Sequence, residues 1–202
     1  MPDEPTRAEP LPRDADYFAV LGLPRKLTLD PKALEPVYHE LSRRYHPDLY
    51  RAATARERIG ALESSSKVNQ AYRTLRDPFE RAAYLLTLEE STGEPAKDAP
   101  PQELFDEILE VQELLGEHRF ADPEERESLA AALREKRDRL QAELDSRVER
   151  LTGELFRRWD ALSDSGDAPE RARVLGEIRT VLADRAYLRR VLNSLNAAVG
   201  AG

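Results

Sequence analysis

A proline at position 47 divides what would otherwise be one long helical pattern from about residue 31 to residue 76. Proline cannot continue a helix and disfavours the helical conformation of the preceding residue, so the first helix must end at or just before His46. The sequence therefore predicts a helical hairpin with His46, Pro47 and Asp48 at its tip. Apolar residues recur at helical spacing on both sides: Leu34, Tyr38, Leu41 and Tyr45 before the break, and Ile59, Leu62, Val68, Ala71, Tyr72 and Leu75 after it.

The tip can be interpreted in two ways. A loop held by packed helices is a common place for binding residues, and His46 and Asp48 would be exposed there. Pro-Asp is also ordinary turn chemistry and by itself requires no function.

The start of the helix before the tip is also predictable. Asp30 followed by Pro31 predicts a helix start, and Pro36 predicts a bend or a helix that is regular only from Val37.

Composition limits the classes of protein to consider. The chain has 202 residues, 40% of them hydrophobic and 35% charged, and it contains no cysteine, which excludes disulfides and thiolate metal sites. The net charge is −8: residues 15–90 contain 12 Lys and Arg against 11 Asp and Glu, whereas residues 103–199 contain 16 against 22. Nucleic-acid binding needs the opposite sign and is not expected. With no long apolar run, no membrane contact is expected, and the predicted location is cytoplasmic.

The chain divides into four predicted segments. Residues 1–14 are rich in proline and charge and predict a disordered tail. Short helices over about 15–21 and 77–89 complete a first domain over residues 15–90. Residues 91–102, with Gly93 and three prolines, predict a linker.

The remaining residues, 103–199, predict a second domain made of helices alone. Three amphipathic helices over about 103–118, 122–162 and 169–199 favour an antiparallel three-helix bundle. Nothing in the chain is typical of a strand, so the fold class is all-α. We find no metal cluster among the three histidines, no cofactor motif and no catalytic constellation.

The first bundle helix has more apolar surface than one stripe requires. Beside the stripe that begins at Leu104, Phe105 and Leu109 form a second line among acidic side chains. A helix that touches two neighbours needs such a wide apolar face. The alternative is an exposed apolar patch with an acidic rim, which would mark a protein-binding surface.

The order of motifs around the tip resembles the J-domain. Three segments carry this resemblance: Asp16-Tyr17-Phe18-Ala19-Val20-Leu21-Gly22-Leu23, His46-Pro47-Asp48 and Asn69-Gln70-Ala71-Tyr72-Arg73-Thr74-Leu75-Arg76-Asp77-Pro78. The following Asp77-Pro78-Phe79-Glu80-Arg81-Ala82-Ala83-Tyr84-Leu85-Leu86 is similar to the HscB-type co-chaperones of iron–sulfur cluster assembly.

The resemblance implies a co-chaperone with no catalytic residue, metal or cofactor of its own. It implies that a DnaK- or HscA-type ATPase is bound and stimulated through Arg43, Arg44, His46, Pro47 and Asp48. It also implies that the C-terminal bundle binds the iron–sulfur scaffold protein. Aligned with the family, this chain offers six candidates for that contact: Phe105, Leu109, Glu110, Gln112, Glu113 and, near the chain end, Tyr187.

One feature departs from the family pattern, and other interpretations remain. Where relatives carry basic residues in the helix before the tip, this chain reads Glu35-Pro36-Val37-Tyr38-His39-Glu40, so its basic face is short.

Other functions are also compatible with the sequence. A J-domain protein that serves a different client through its acidic bundle is the main alternative. An enzyme using His46 and Asp48 as an acid–base pair would lack a pocket, and a purely structural adaptor would leave the motif order unexplained.

Overall fold

The computed structural model describes residues 9–89, 104–162 and 167–200, and every regular element in these ranges is helical, which confirms the all-α prediction. No helix in these ranges is both long enough and apolar enough to cross a lipid bilayer. The predicted linker 91–102 lies outside the described residues. The α-helices are α1 (Tyr17–Val20), α2 (Pro31–Arg44), α3 (Ala55–Arg76), α4 (Pro78–Glu89), α5 (Phe105–Phe120), α6 (Pro123–Glu149), α7 (Phe156–Leu162) and α8 (Ala168–Val199).

The chain forms two compact units. Unit 1 comprises residues 1–91 together with 159–166, and unit 2 comprises residues 92–158 and 167–202. The sequence placed all of 103–199 in the second domain, so the assignment of 159–166 to unit 1 differs from that prediction. Helical periodicity continues without a break from about residue 122 to residue 162, so the pattern could not mark a change of unit at residue 159.

Helices α2 and α3 form the predicted hairpin of unit 1. Asp30 begins α2 by accepting a hydrogen bond from the backbone N–H of Lys32, and α2 runs through Pro36 without interruption. Helix α3 begins with a capping box, in which Thr54 accepts from the N–H of Glu57 and the Glu57 carboxylate accepts from the N–H of Thr54. Both helix starts are thus fixed by local side chains.

The buried face of α3 differs from the predicted one at its N-terminal end. Ile59 and Leu62 were predicted to pack in the hairpin, but they are 58% and 61% exposed. Small side chains occupy the interior instead, and the apolar stripe resumes at Val68. The buried residues of α3 are Gly60, Ala61, Ser64, Val68, Ala71 and Leu75.

An N-terminal arm, residues 9–14, explains why small residues are buried there. The N–H of Leu11 donates to Ser64 Oγ at 3.0 Å, and Lys67 Nζ donates to the carbonyl oxygen of Pro12 at 2.8 Å. A Cβ atom on Gly60 would lie 2.7 Å from Cγ of Pro10, so only glycine admits this close approach. The prediction of a disordered tail over 1–14 is therefore wrong for residues 9–14, while residues 1–8 lie outside the described residues.

The short helix α1 is held in unit 1 by its aromatic side chains. Phe18 is fully buried, and the ring of Tyr17 stacks on that of Tyr84 with centroids 4.4 Å apart. Asp16 caps α1 and pairs with Arg25. Partial burial would raise the pKa of Asp16, but hydrogen bonds from the Ala19 N–H and Arg25 outweigh it and lower the pKa.

The segment 159–162 is tied to the loop that precedes α2. The carboxylate of Asp160 accepts hydrogen bonds from the N–H groups of Leu27 at 2.6 Å and Thr28 at 2.8 Å. The indole of Trp159, 1% exposed, donates to the carbonyl oxygen of Arg25. Arg81, which is buried, donates to the Leu27 carbonyl at 2.9 Å. Burial lowers the pKa of Arg81, and the negative charges of Asp160 and Asp77 oppose that shift.

Unit 2 is the predicted antiparallel three-helix bundle, in which α5, α6 and α8 share one core. The predicted stripes supply this core apart from Val191, which was not predicted: it includes Leu104, Ile108, Val111, Leu133, Leu140, Leu144, Leu188, Val191, Leu192 and Leu195. Between α6 and α7 lies one π-helical segment, Arg150–Leu155, where the N–H of Phe156 reaches the carbonyl of Leu151. One buried carboxylate, Asp184, is paired with Arg147 of α6.

Candidate functional site

The tip turn, residues 46–51, is exposed except for the side chain of Tyr50. Pro47–Tyr50 forms a single 3₁₀ turn, which His46 caps by accepting the Asp48 N–H at Nδ1, 3.3 Å away. Tyr50 is 3% exposed and donates its hydroxyl to the Arg44 carbonyl, which fixes the turn to the end of α2. His46, Pro47 and Asp48 are exposed. The sequence thus folds into a rigid turn that presents these three side chains to solvent.

Tyr45 anchors the other side of the tip. Its side chain is buried, and its hydroxyl donates to the Glu9 carbonyl at 3.2 Å. The hydroxyl is protonated at neutral pH in any case, and burial raises the pKa of Tyr45 further. The N-terminal arm therefore supports the base of the tip turn.

The Asp48 carboxylate is paired within the chain. Arg51 donates to Oδ1 of Asp48 from Nε at 3.1 Å and approaches it with Nη2 at 2.8 Å. The side chain of Asp48 is 59% exposed and that of Arg51 is 79% exposed. An exposed pair of this kind contributes about 0–1 kcal/mol, so a partner cation can displace Arg51 at low cost.

The predicted steering residues Arg43 and Arg44 lie exposed at the end of α2, next to the tip turn. Arg43 also donates Nε to the His39 carbonyl, one turn earlier. Glu35 and Glu40 are exposed on the same helix, as the sequence predicted for a short basic face. Positive charge on α2 is therefore concentrated within one turn of His46.

The structure shows how far the second apolar line of α5 is exposed. Phe105 is 47% exposed and Leu109 is 48% exposed, while Leu104, Ile108 and Val111 are buried. Among the described residues, the second line is therefore half exposed and packs on no further helix. Of the acidic and amide candidates, Glu110, Gln112 and Glu113 are all exposed, and Glu110 pairs with Lys136 of α6.

Tyr187 is placed differently from the other client candidates. It lies on α8, is partly buried, and packs against the bundle core. The guanidinium of Arg190 lies 5.4 Å from the centre of its ring. Its ring is thus shared between the core and the surface, whereas the candidates on α5 are displayed on one exposed face.

Three exposed residues next to these candidates were missed by the sequence analysis. Leu49, 52% exposed, follows Asp48 in the tip turn. Arg51 forms the ion pair with the Asp48 carboxylate. Phe120, 85% exposed, ends α5. The i,i+3 spacing of Asp48 and Arg51 was a usable signal, whereas exposure of single apolar residues is common and could not be read from the sequence.

Comparison with known proteins identifies the hairpin region. The DnaJ domain family matches residues 16–84. The co-chaperone protein HscB homolog of Vibrio cholerae is 36% identical over 111 residues, which are 54% of this chain and 65% of the relative. Co-chaperone protein HscB of Proteus mirabilis is 40% identical over 74 residues, 37% of this chain and 43% of the relative. The chain thus spans less than two thirds of the length of these relatives.

Solved structures extend the likeness of fold over most of the chain. Chaperone HscB from Vibrio cholerae has a TM-score of 0.54 and 24% identity, with 90% of this chain and 99% of that protein covered. Human co-chaperone protein HscB has a TM-score of 0.62 and 22% identity, with 93% and 84% covered. These identities support a common fold, and the function rests on other evidence. The resemblance seen in the sequence is therefore confirmed: this chain carries a DnaJ domain and is similar to the HscB co-chaperones.

Proposed function

We propose that the protein is a co-chaperone that binds an iron–sulfur scaffold protein and delivers it to an HscA- or DnaK-type ATPase, whose ATP hydrolysis it stimulates. The observation that carries the proposal is the exposed His46-Pro47-Asp48 turn, fixed between the buried side chains of Tyr45 and Tyr50. A rigid, exposed turn loses little conformational entropy on binding. In this proposal the protein acts by contact, has no catalytic chemistry of its own, and works in the cytoplasm.

The ATPase contact is assigned to the tip turn and the end of α2. Asp48 offers a carboxylate that can accept a bidentate hydrogen-bonded pair from a partner arginine. Arg43 and Arg44 add positive charge beside it, which speeds encounter with an acidic surface more than it tightens the complex. His46 acts mainly by shaping the turn, because its Nδ1 atom already accepts the Asp48 N–H.

The client contact is assigned to the exposed face of α5. Phe105 and Leu109 supply apolar surface, and Glu110, Gln112 and Glu113 supply polar partners around it. Two large apolar side chains exposed at i,i+4 on one helix form the kind of patch that a partner covers. Tyr187 is retained as a further client candidate, with its contact limited to the exposed edge of its ring.

The proposal is tested by steady-state ATP turnover of a purified HscA- or DnaK-type chaperone, with and without this protein and with and without purified iron–sulfur scaffold. We expect stimulation by the protein alone and further stimulation with scaffold. Asp48→Asn is expected to abolish stimulation while leaving scaffold binding intact. Asp14→Asn, which removes an exposed carboxylate from the N-terminal arm, is the matched control and should behave as wild type.

The two halves of the proposal fail in different ways. Retained stimulation by Asp48→Asn would refute the assignment of the trigger. Stimulation that is unaffected by scaffold, together with unchanged scaffold binding in Phe105→Ala and Leu109→Ala, would indicate a J-domain protein with another client. A true apolar anchor should cost about 2 kcal/mol or more on truncation, which is readily measured.

A further inference from the structure

Phe120 is the most exposed of the large apolar side chains in the described part of the chain, at 85%. It ends α5, the helix that carries Phe105 and Leu109. An α-helix turns about 100° per residue, so Phe120 lies roughly 60° around the axis from Phe105 and roughly 20° from Leu109. The three side chains therefore share one stripe, which continues about 16 Å beyond Leu109.

Gly116 lies on this stripe between Leu109 and Phe120. It is exposed, and a Cβ atom built on it would meet no atom within 4 Å. Glycine inside a helix costs roughly 0.5–1 kcal/mol relative to alanine, and packing within the described chain does not require it here. The absence of a side chain leaves a notch in which an incoming side chain can reach the helix backbone.

A groove of about 530 Å³ begins beside Phe120, between the end of α5 and the start of α6. It is lined by the apolar residues Phe120, Ala121 and Leu129 and by the polar residues Glu117, Glu125 and Ser128. Neither carboxylate forms an ion pair with any residue in the described ranges. Arg119 lies 5.8 Å from the centre of the Phe120 ring and covers part of one face.

We infer that the client-binding face of α5 continues past Gly116 into this groove, where it takes a basic segment of the client that carries a large apolar side chain. The inference rests on the proposed function, which supplies the client. Apolar side chains at both ends of the stripe and a notch between them fit an extended contact. The groove adds the carboxylates of Glu117 and Glu125 at its far end.

Charge selects this occupant over a second copy of the chain. The exposed face of α5 carries Asp106, Glu113 and Glu117, and the groove adds Glu125. Two such faces would bring like charges together, which disfavours self-association by this surface. A segment with Lys or Arg beside its apolar residue would pair with the carboxylates while its apolar side chain packs against Phe120.

The test measures binding of purified iron–sulfur scaffold protein to the full-length chain by isothermal titration calorimetry. Phe120→Ala is expected to raise Kd about tenfold, the size of effect typical of an interface anchor. Gly116→Leu should also raise Kd, because it fills the notch. Glu125→Gln should raise Kd at low salt and less at high salt, since screening weakens the charge contribution in the wild type.

Leu62→Ala is the matched control, because Leu62 is 61% exposed on α3 in unit 1 and should leave Kd unchanged. If Phe105→Ala weakens binding while Phe120→Ala and Gly116→Leu remain within twofold of wild type, the extended face is wrong and the proposed function stands. No scaffold binding by the wild type overturns both. Self-association of the wild type that Phe120→Ala abolishes would also overturn the inference, since the groove would then hold a second copy.

Discussion

Arg51 holds the carboxylate of Asp48 in an exposed ion pair, with Nε and Nη2 both directed at the same oxygen atom. The residue proposed to contact the ATPase is thus already partnered in the free protein. A partner arginine must displace Arg51 before it can occupy the same oxygen. Arg51 is therefore a competitor for the contact that Asp48 is proposed to make.

Arg51→Gln should accordingly lower the concentration of this protein needed for half-maximal ATPase stimulation, by up to about fivefold, since exposed pairs contribute at most about 1 kcal/mol. The measurement is a titration of ATP turnover at low and high salt. The difference from wild type should shrink at high salt, because salt already weakens the internal pair. A higher half-maximal concentration in the variant would mean that Arg51 assists docking.

Asp160→Ala should destabilise unit 1. The substitution leaves the N–H groups of Leu27 and Thr28 without their acceptor, which we expect to lower the free energy of unfolding by about 2 kcal/mol. Urea unfolding followed by tryptophan fluorescence reports on this unit, because the single tryptophan, Trp159, belongs to it. Asp145→Ala, on the exposed surface of α6, is the control and should change stability little. Equal losses of stability in Asp160→Ala and Asp145→Ala would show that the hydrogen bonds accepted by Asp160 do not stabilise unit 1.

Alanine should have opposite effects at two helical glycines. Gly176 in α8 has open space around its Cβ position, so Gly176→Ala should stabilise the chain by roughly 0.5–1 kcal/mol. At Gly60 the new methyl group would meet Pro10 and displace the N-terminal arm. Gly60→Ala should therefore stabilise the chain less than Gly176→Ala does, or destabilise it. Residues 9–14 should also become more sensitive to protease. Equal stabilisation by both substitutions would mean that the arm does not need the close approach.

Glu170 should make unit 2 sensitive to strong acid. Hydrogen bonds from Arg173 and Arg158 lower the pKa of Glu170 from 4.5 to about 2. Because the folded pKa is the lower one, the stabilisation is complete above about pH 4.5 and is lost as the pH falls through about 2. Between these values, the free energy of unfolding should fall more steeply for wild type than for Glu170→Gln. The measurement is the free energy of unfolding at a series of acid pH values, monitored by circular dichroism for both proteins. The same slope with pH for wild type and Glu170→Gln would contradict the prediction.

Features fixed by neighbouring residues were predictable from the sequence. Pro47 ended α2 at the expected place, and the cap at Asp30 began α2 as its side-chain chemistry requires. The bundle stripes were also predictable, because a helix that packs on two others must repeat its apolar residues at helical spacing. The tip turn belongs to this group, since its geometry depends on Pro47 and the His46 cap.

Features that depend on distant residues were not predictable. Ile59 and Leu62 fit the helical stripe of α3, but Pro10 and Leu11 cover the face that contains Gly60 and Ser64 instead. Periodicity shows that a helix has an apolar face and does not show which segment covers it. A covering segment that is distant in sequence cannot be predicted in this way, because no local pattern indicates which residues will contact the helix.

The discontinuity of unit 1 affects how a J-domain of this kind can be moved between proteins. Residues 1–91 form an uninterrupted stretch and would be the natural piece to excise, yet Trp159 and Asp160 belong to the same unit. A chimera built from that stretch would expose the backbone groups of the loop before α2 that these two side chains engage. The compact unit is therefore a composite of two stretches, and a graft that keeps these contacts must carry both.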